Sequence, residues 1–291
     1  MRLFLCYGRD YRVKNFDRTY RLSIGKAGAE GFELGSDSRP LHISFSVEKA
    51  DTDSANTAKV SIWNLNSTHK AVLNQKDCVV ALRAGYGTVM PLIFTGVVTF
   101  AKTKADGSDE VTEIELVDNL IELRDTYVSV NYTGIVSCKT LIEDTAKQMG
   151  VAVTFSYNAA FADIPNGYSY VGAARNVLTK ACQTSGLTWS IHNGVLQVKK
   201  PGDTMSREVY ELSAETGLIN TPNRVQISKD EGKSDYGWDV EYLMNAAINI
   251  DDYVYLNSRY AKGYFRVYSV TIEGDNMEGS WTCTARLLEC T

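Results

Sequence analysis

The sequence predicts a mainly β protein with a smaller α+β part, built as two similar small β-barrels flanking the α+β module. Three observations carry this. Apolar residues alternate with polar ones, at a period of two, through the first and last thirds of the 291 residues. Between them the period changes to that of a helix, twice. Seventeen Tyr against five Pro, with many Val, Ile and Thr, favour strands over helices.

The strands come first. Leu41, Ile43, Phe45 and Val47 share one face, and His42, Ser44 and Ser46 the other, as in a sheet buried on one side. Runs at 78–86, 91–103 and 110–118 follow, separated by turn signals such as Ala105-Asp106-Gly107. Strands this short and this closely spaced suit a sandwich or barrel.

The middle segment reads as α+β. In 137–150, Leu141, Ile142, Thr145, Ala146 and Met149 fall on one helical stripe, with Ser137 as N-cap and Gly150 as the stop. A strand follows at 151–157. The pattern recurs in 173–186, where Val177, Leu178, Cys182 and Ser185 stand 36 residues after Leu141, Ile142, Ala146 and Met149. A hairpin about Asn193-Gly194 closes the segment.

Strands return at 224–230, 237–243, 252–260, 263–274 and 279–289, in the order met in the first third. Phe45 matches Ile227, Asp77 matches Asp252 and Phe94 matches Phe265, at offsets drifting from 182 through 175 to 171. Small loop deletions produce such a drift. The predicted organisation is a first barrel at 1–126, an inserted α+β module at 127–203 and a second barrel at 204–291.

Composition excludes several functions. The formal net charge is −5 and no Lys/Arg block stands out, so the clustered cations that hold nucleic-acid backbones are missing. The six Cys include no closely spaced pair of the zinc-site kind, which leaves reduced, mostly buried thiols as the expectation. The apolar run near the N-terminus is too short for a signal peptide, and no stretch approaches the roughly 18 apolar residues of a membrane helix.

Candidate chemistry is sparse. The connector between the first two strands offers Asp51, Asp53 and Asn56 as oxygen ligands. Counted from Asp51, however, the sixth position is Asn56 and the twelfth Ile62, where a calcium loop needs Gly and Glu. Glu113 and Glu115 share a strand face, and two such carboxylates approach glycosidase spacing by strand geometry alone. His42, His69 and His192 have no common spacing, and the Gly-rich stretch 27–35 lacks a strand-to-helix setting. Trp63 and Trp281 each sit among alternating residues, as core groups or as contact groups at an interface.

The stretch "NIDDYVYLNSRYAKGYFRVYSVTIEGDNMEGSWTCTARLLE" resembles the C-terminal barrel of phage tail baseplate hub proteins. The resemblance lies in Gly263, Tyr264 and Val267, the Gly274-Asp275 turn and Trp281-Thr282; "AKVSIWNLN" is similar to the first-barrel hairpin of the same proteins. It implies a non-enzymatic structural protein of a phage virion tail or a related contractile injection particle, a homotrimer whose six barrels form a pseudo-sixfold ring. Such a ring adapts a sixfold tail tube to a trimeric spike or tip protein among other baseplate proteins. It implies no cofactor and no metal, and assembly in the host cytoplasm before residence in the tail baseplate. Asp51, Asp53, Asn56, Trp63 and Trp281 are then the candidate assembly residues. Two other readings stand beside it: a peptidoglycan-active enzyme using Glu113 and Glu115, and a carbohydrate-binding module using Trp63 or Trp281.

Overall fold

The structure is a computed structural model that describes residues 4–5, 17–26, 30–35, 40–50, 55–118, 126–205, 208–228 and 234–289. Asp51, Asp53, Cys6, Cys290 and residues 27–29 of the Gly-rich stretch lie outside these. Two compact units result, one formed by 1–117 with 206–291 and the other by 118–205.

The first unit begins with β1 (Phe4–Leu5), β2 (Arg18–Gly25), β3 (Phe32–Leu34), β4 (Ile43–Ala50) and β5 (Thr57–Trp63). A short helix α1 (Ser67–Leu73) precedes β6 (Val79–Tyr86), β7 (Leu92–Asp106) and β8 (Asp109–Val117). The second unit holds β9 (Tyr127–Tyr132), β10 (Val136–Ser137), α2 (Cys138–Met149), β11 (Ala152–Phe155) and β12 (Asp163–Ile164). It continues with β13 (Tyr168–Ala173), α3 (Ala174–Ser185), β14 (Thr188–His192) and β15 (Val195–Lys199). The chain then returns to the first unit with β16 (Glu208–Ser213), β17 (Asn223–Ser228), β18 (Ser234–Leu243), β19 (Tyr253–Asn257), β20 (Lys262–Asp275) and β21 (Trp281–Glu289).

The alternation read from the sequence is the burial pattern of the strands. Ile43, Phe45 and Val47 point into the core from β4, and Ala58, Val60 and Ile62 from β5. The segment before β6, which sequence pattern leaves irregular, is α1. Asn66 caps it by accepting the His69 N–H at 2.8 Å, a bond worth about 1 kcal/mol in such caps.

Within the first unit, the two β regions share one strand order. The first runs β4-β5-β8-β7-β6, and the second runs β17-β18-β21-β20-β19. Registers match strand by strand: Ala58 faces Leu116 as Trp238 faces Leu287, and Val80 faces Gly96 as Val254 faces Phe265. Both long central strands carry an irregularity at the same place, between Val98 and Phe100 in β7 and between Val267 and Ser269 in β20. Asp77 and Asp251 both adopt left-handed φ, 61° and 69°, just before β6 and β19. In each half the following residue's carbonyl accepts from the central strand, Val98 N–H to Cys78 and Val267 N–H to Asp252.

These registers correct the pairings read from sequence. Asp77 corresponds to Asp251, so Asp252 corresponds to Cys78; Phe94 corresponds to Gly263, and Gly96 stands where the second half has Phe265. In the hairpins, Val47 corresponds to Arg224, which moves Phe45 away from Ile227. The two halves share strand order and register but few residues, so a comparison built on identities slips by one to several positions.

The halves also differ. The neighbour of β6 is β2, antiparallel, whereas the neighbour of β19 is β16, parallel. They join through β4 and β20, antiparallel from Ser269 opposite Ala50 to Asp275 opposite Ser44. Buried residues from both halves form one apolar cluster, from Tyr20 and Leu22 to Ala285 and Leu287.

The second unit has its own core. α2 buries Leu141, Ile142, Thr145, Ala146 and Met149, the stripe expected, and α3 buries Val177, Leu178, Ala181 and Cys182. Ser137 accepts from the Lys139 N–H, and Gly150 and Gly186 end the helices in left-handed conformation. β9 pairs with β13, and β11, β15 and β14 form a three-stranded sheet. Asn193 and Gly194, both at positive φ, make the tight turn between β14 and β15, with the Asp118 carboxylate accepting the Asn193 N–H. The four described Cys (Cys78, Cys138, Cys182 and Cys283) are free, buried thiols; burial pushes Cys182 up to about 12 and Cys283 to about 11.

Candidate assembly interface

The sequence-derived contact residues separate into distinct roles. Asn56 is 6% exposed, and its Oδ1 accepts the Ala50 N–H at 3.2 Å, so it closes the base of the β4–β5 hairpin from inside. Trp281 is 3% exposed and meets Phe45 edge to face at 5.6 Å. Both side chains are core groups of this chain and offer no free surface. Trp281 shares its face of β21 with Cys283, Ala285 and Leu287, which is why it turns inward.

Trp63 is half-buried and on the opposite face to Ala58, Val60 and Ile62. Its Nε1 donates to Asp106 Oδ2 at 2.9 Å, in the β7–β8 turn. Its ring stacks on His42 at 3.9 Å between centroids and 13° between planes. His42 Nε2 in turn lies 3.0 Å from Asp275 Oδ1. Burial works against ionisation of Asp275, but the N–H groups of Glu278 and Met277 and the His42 ring outweigh it and hold the carboxyl below the ordinary carboxylate range. Trp63 and His42 thus tie the β7–β8 turn to the end of β20, across the seam between the two halves.

Glu113 and Glu115 lie on the polar face of β8. Lys104 Nζ is 2.6 Å from Glu113, and Lys59 Nζ is 3.5 Å from Glu115. Both ion pairs are largely exposed, so the two carboxylates are neutralised on an open sheet face instead of facing each other across a cleft. Among the described residues no group of three or more His, Cys, Asp and Glu side chains is placed to hold a metal ion, and no helix is long and apolar enough to cross a membrane.

A buried ionic cluster sits behind the seam. Arg266 pairs with Asp251, which is 1% exposed, and Lys49, 6% exposed, donates to Asn249 Oδ1 at 3.1 Å. Burial pushes the neighbouring Asp252 up to about 7, opposed by the Asn249 N–H it accepts.

Two exposed features went unrecognised in the sequence. Phe100, 51% exposed, lies just past the irregularity in β7, and Tyr236, 54% exposed, lies on β18. The signal for the first is the break in alternation at Val97-Val98-Thr99-Phe100, where two apolar residues follow one another before a polar run.

A family model described as baseplate hub gp41 matches residues 31–263, some four-fifths of the chain, from β3 through β19. The chain belongs to the baseplate hub gp41 family. Its role is that of a structural protein of the tail baseplate. No curated protein matches the hub's sequence. Solved structures share its fold at low identity. A tail protein from Neisseria meningitidis MC58 superposes with a TM-score of 0.58 at 12% identity, covering 93% of the hub and 97% of that chain. The 43 kDa tail protein of prophage MuSo2 from Shewanella oneidensis gives 0.61 at 9% identity, covering 93% and 98%. An E. coli type VI secretion component described as similar to the T4 tail proteins gp27 and gp5 gives 0.56 at 10% identity, covering 89% and 76%. The hub fold is therefore shared by tail and secretion proteins across most of its length.

Proposed function

We propose that the hub acts as a homotrimeric ring in which each β half is one tube-like barrel domain, at 1–126 and 204–291, flanking the 127–203 module. The observation that carries this is the common strand order, register and central irregularity of the two halves. Three chains with two equivalent domains each present six similar elements to a sixfold tail tube on one face. The same ring keeps true threefold symmetry for a trimeric spike or tip protein on the other. Closed symmetric rings are the usual form of such oligomers. In this reading Asp51 and Asp53, which lie in the sequence between β4 and β5 and outside the described residues, contact a neighbouring domain or the tube.

The hub has no wall-cutting activity of its own in this reading, because Glu113 and Glu115 are bound to lysines on an exposed face. It assembles in the host cytoplasm with tube, tip and other baseplate proteins. Sedimentation of the purified chain, alone and with tube protein, is the test. A trimer that binds the tube supports the reading; a stable monomer that fails to bind the tube overturns it.

A further inference from the structure

We infer that the outer edge of β7, from Phe100 to Asp106, is a docking edge that takes β17 of a second copy of this chain in antiparallel pairing. This rests on the trimeric-ring reading and adds to it which edges meet and in which register.

The chain already contains one such junction. β20, past its irregularity at Val267/Ser269, turns its outer edge to β4 and pairs with it over seven residues. β7 has the same irregularity at Val98/Phe100 and continues as far, to Asp106. The two-residue turn at Gly107-Ser108 makes Asp106 and Asp109 the closing pair of the hairpin, so even-numbered residues of β7 bond to β8. The backbone groups of Ala101, Thr103 and Ala105 therefore point outward, as those of Val270, Ile272 and Gly274 do towards β4. Among the described residues no strand forms a ladder with that edge.

The counterpart of β4 in the second half is β17, whose one ladder among the described residues is with β18. β7 and β17 stand at opposite ends of the continuous run β7-β8-β5-β4-β20-β21-β18-β17. Among the described residues neither pairs with the other in its own chain, so a head-to-tail contact between copies joins them, the type of contact that closes rings. Both edges are open: Phe100 is exposed on one face of β7, and Arg224, Gln226 and Tyr236 line an open cavity of about 540 Å³ on the other face of the β17 edge. Lys102 and Lys104 on the free edge discourage indiscriminate strand pairing.

Transferring the β20–β4 register onto β7 and β17 places Phe100 opposite Ile227, Lys102 opposite Val225 and Lys104 opposite Asn223. These are non-hydrogen-bonded pairs, with Cα atoms about 4.5 Å apart, close enough for a disulfide.

The experiment uses the full chain with Cys6→Ser and Cys290→Ser, which leaves the four buried thiols. Lys102→Cys combined with Val225→Cys is expected to give disulfide-linked species up to a closed trimer on mild oxidation. Lys102→Cys combined with Asn223→Cys, two residues out of register, is expected to link poorly. Thr103→Pro removes an outward N–H without touching the β8 ladder; it should keep the far-UV circular dichroism and lose the trimer. A trimer by mass in which neither cysteine pair links overturns this edge assignment and leaves the ring reading intact. Stronger linking out of register overturns the register. A chain that stays monomeric at every concentration overturns both.

Discussion

The two β halves of the hub have one backbone and two sets of side chains. Each presents five strands in the same order, a left-handed Asp before the equivalent strand, and an irregularity at the same point of the long central strand. What differs is the surroundings. Asp77 is partly exposed beside Lys76, with 4.0 Å between the charges, whereas Asp251 is buried against Arg266. Cys78 is a buried thiol where the second half has the acid Asp252. β20 spends its outer edge on β4, while the equivalent edge of β7 has no ladder among the described residues. Strand order and turn conformation are set by ladders and φ angles that many sequences satisfy. The side chains report which strands of each half are buried at the internal seam.

Changes at equivalent positions should therefore have unequal effects. The largest is expected at the left-handed Asp. Asp251→Asn keeps the turn but leaves Arg266 without its buried counter-charge, at a cost of about 3–5 kcal/mol, whereas Asp77→Asn should cost less than about 1 kcal/mol. Urea unfolding of the two variants gives the comparison directly; equal losses would contradict it.

The next concerns Asp252. Its folded pKa, raised to about 7, lies above an unfolded value of about 3.9, so the folded state keeps a proton that the unfolded state releases. Stability from this group falls as pH rises from about 4 to about 7, then levels off with the ionisation penalty in full. Asp252→Asn can still accept the Asn249 N–H. It should raise stability at pH 8 by about 2–4 kcal/mol and change little at pH 4. Cys78→Ala, at the equivalent position, should show no such pH dependence between 4 and 8.

A smaller effect is expected at Gly274, where an added methyl lands 2.2 Å from the Phe45 ring. Gly274→Ala should cost about 1–3 kcal/mol by forcing that ring aside, while its equivalent in β7 is already Ala105. The smallest is Trp63→Leu, which imports the residue the second half has at that position, Leu243. Losing the bond to Asp106 should lower stability by about 1 kcal/mol in thermal melts.

Much of this was legible in the sequence. Period two located the strands, Ser137, Gly150 and Asn193-Gly194 marked helix and hairpin ends, and the order of runs disclosed the repeat. The exact correspondence was not, because strands of equal role share shape and burial more than identity, as Val47 and Arg224 illustrate. The β4–β20 junction joins residues more than two hundred apart, and alternation says which residues share a face but not which strand lies alongside. For the tryptophans the signal was present. Trp281 shares a face with Cys283, Ala285 and Leu287, and Trp63 with Lys59 and Ser61, which places the first in the core and the second at the surface. Asn56 carries no such signal, since the inward bond to Ala50 depends on the path of the hairpin.

The central claim is that two equivalent halves make a threefold chain assembly look sixfold. Electron microscopy of the purified full-length chain tests it most directly. The account predicts ring-shaped particles of three chains with six similar lobes around the axis. Monomeric particles, or rings in which the two halves of each chain occupy non-equivalent radii, would contradict it.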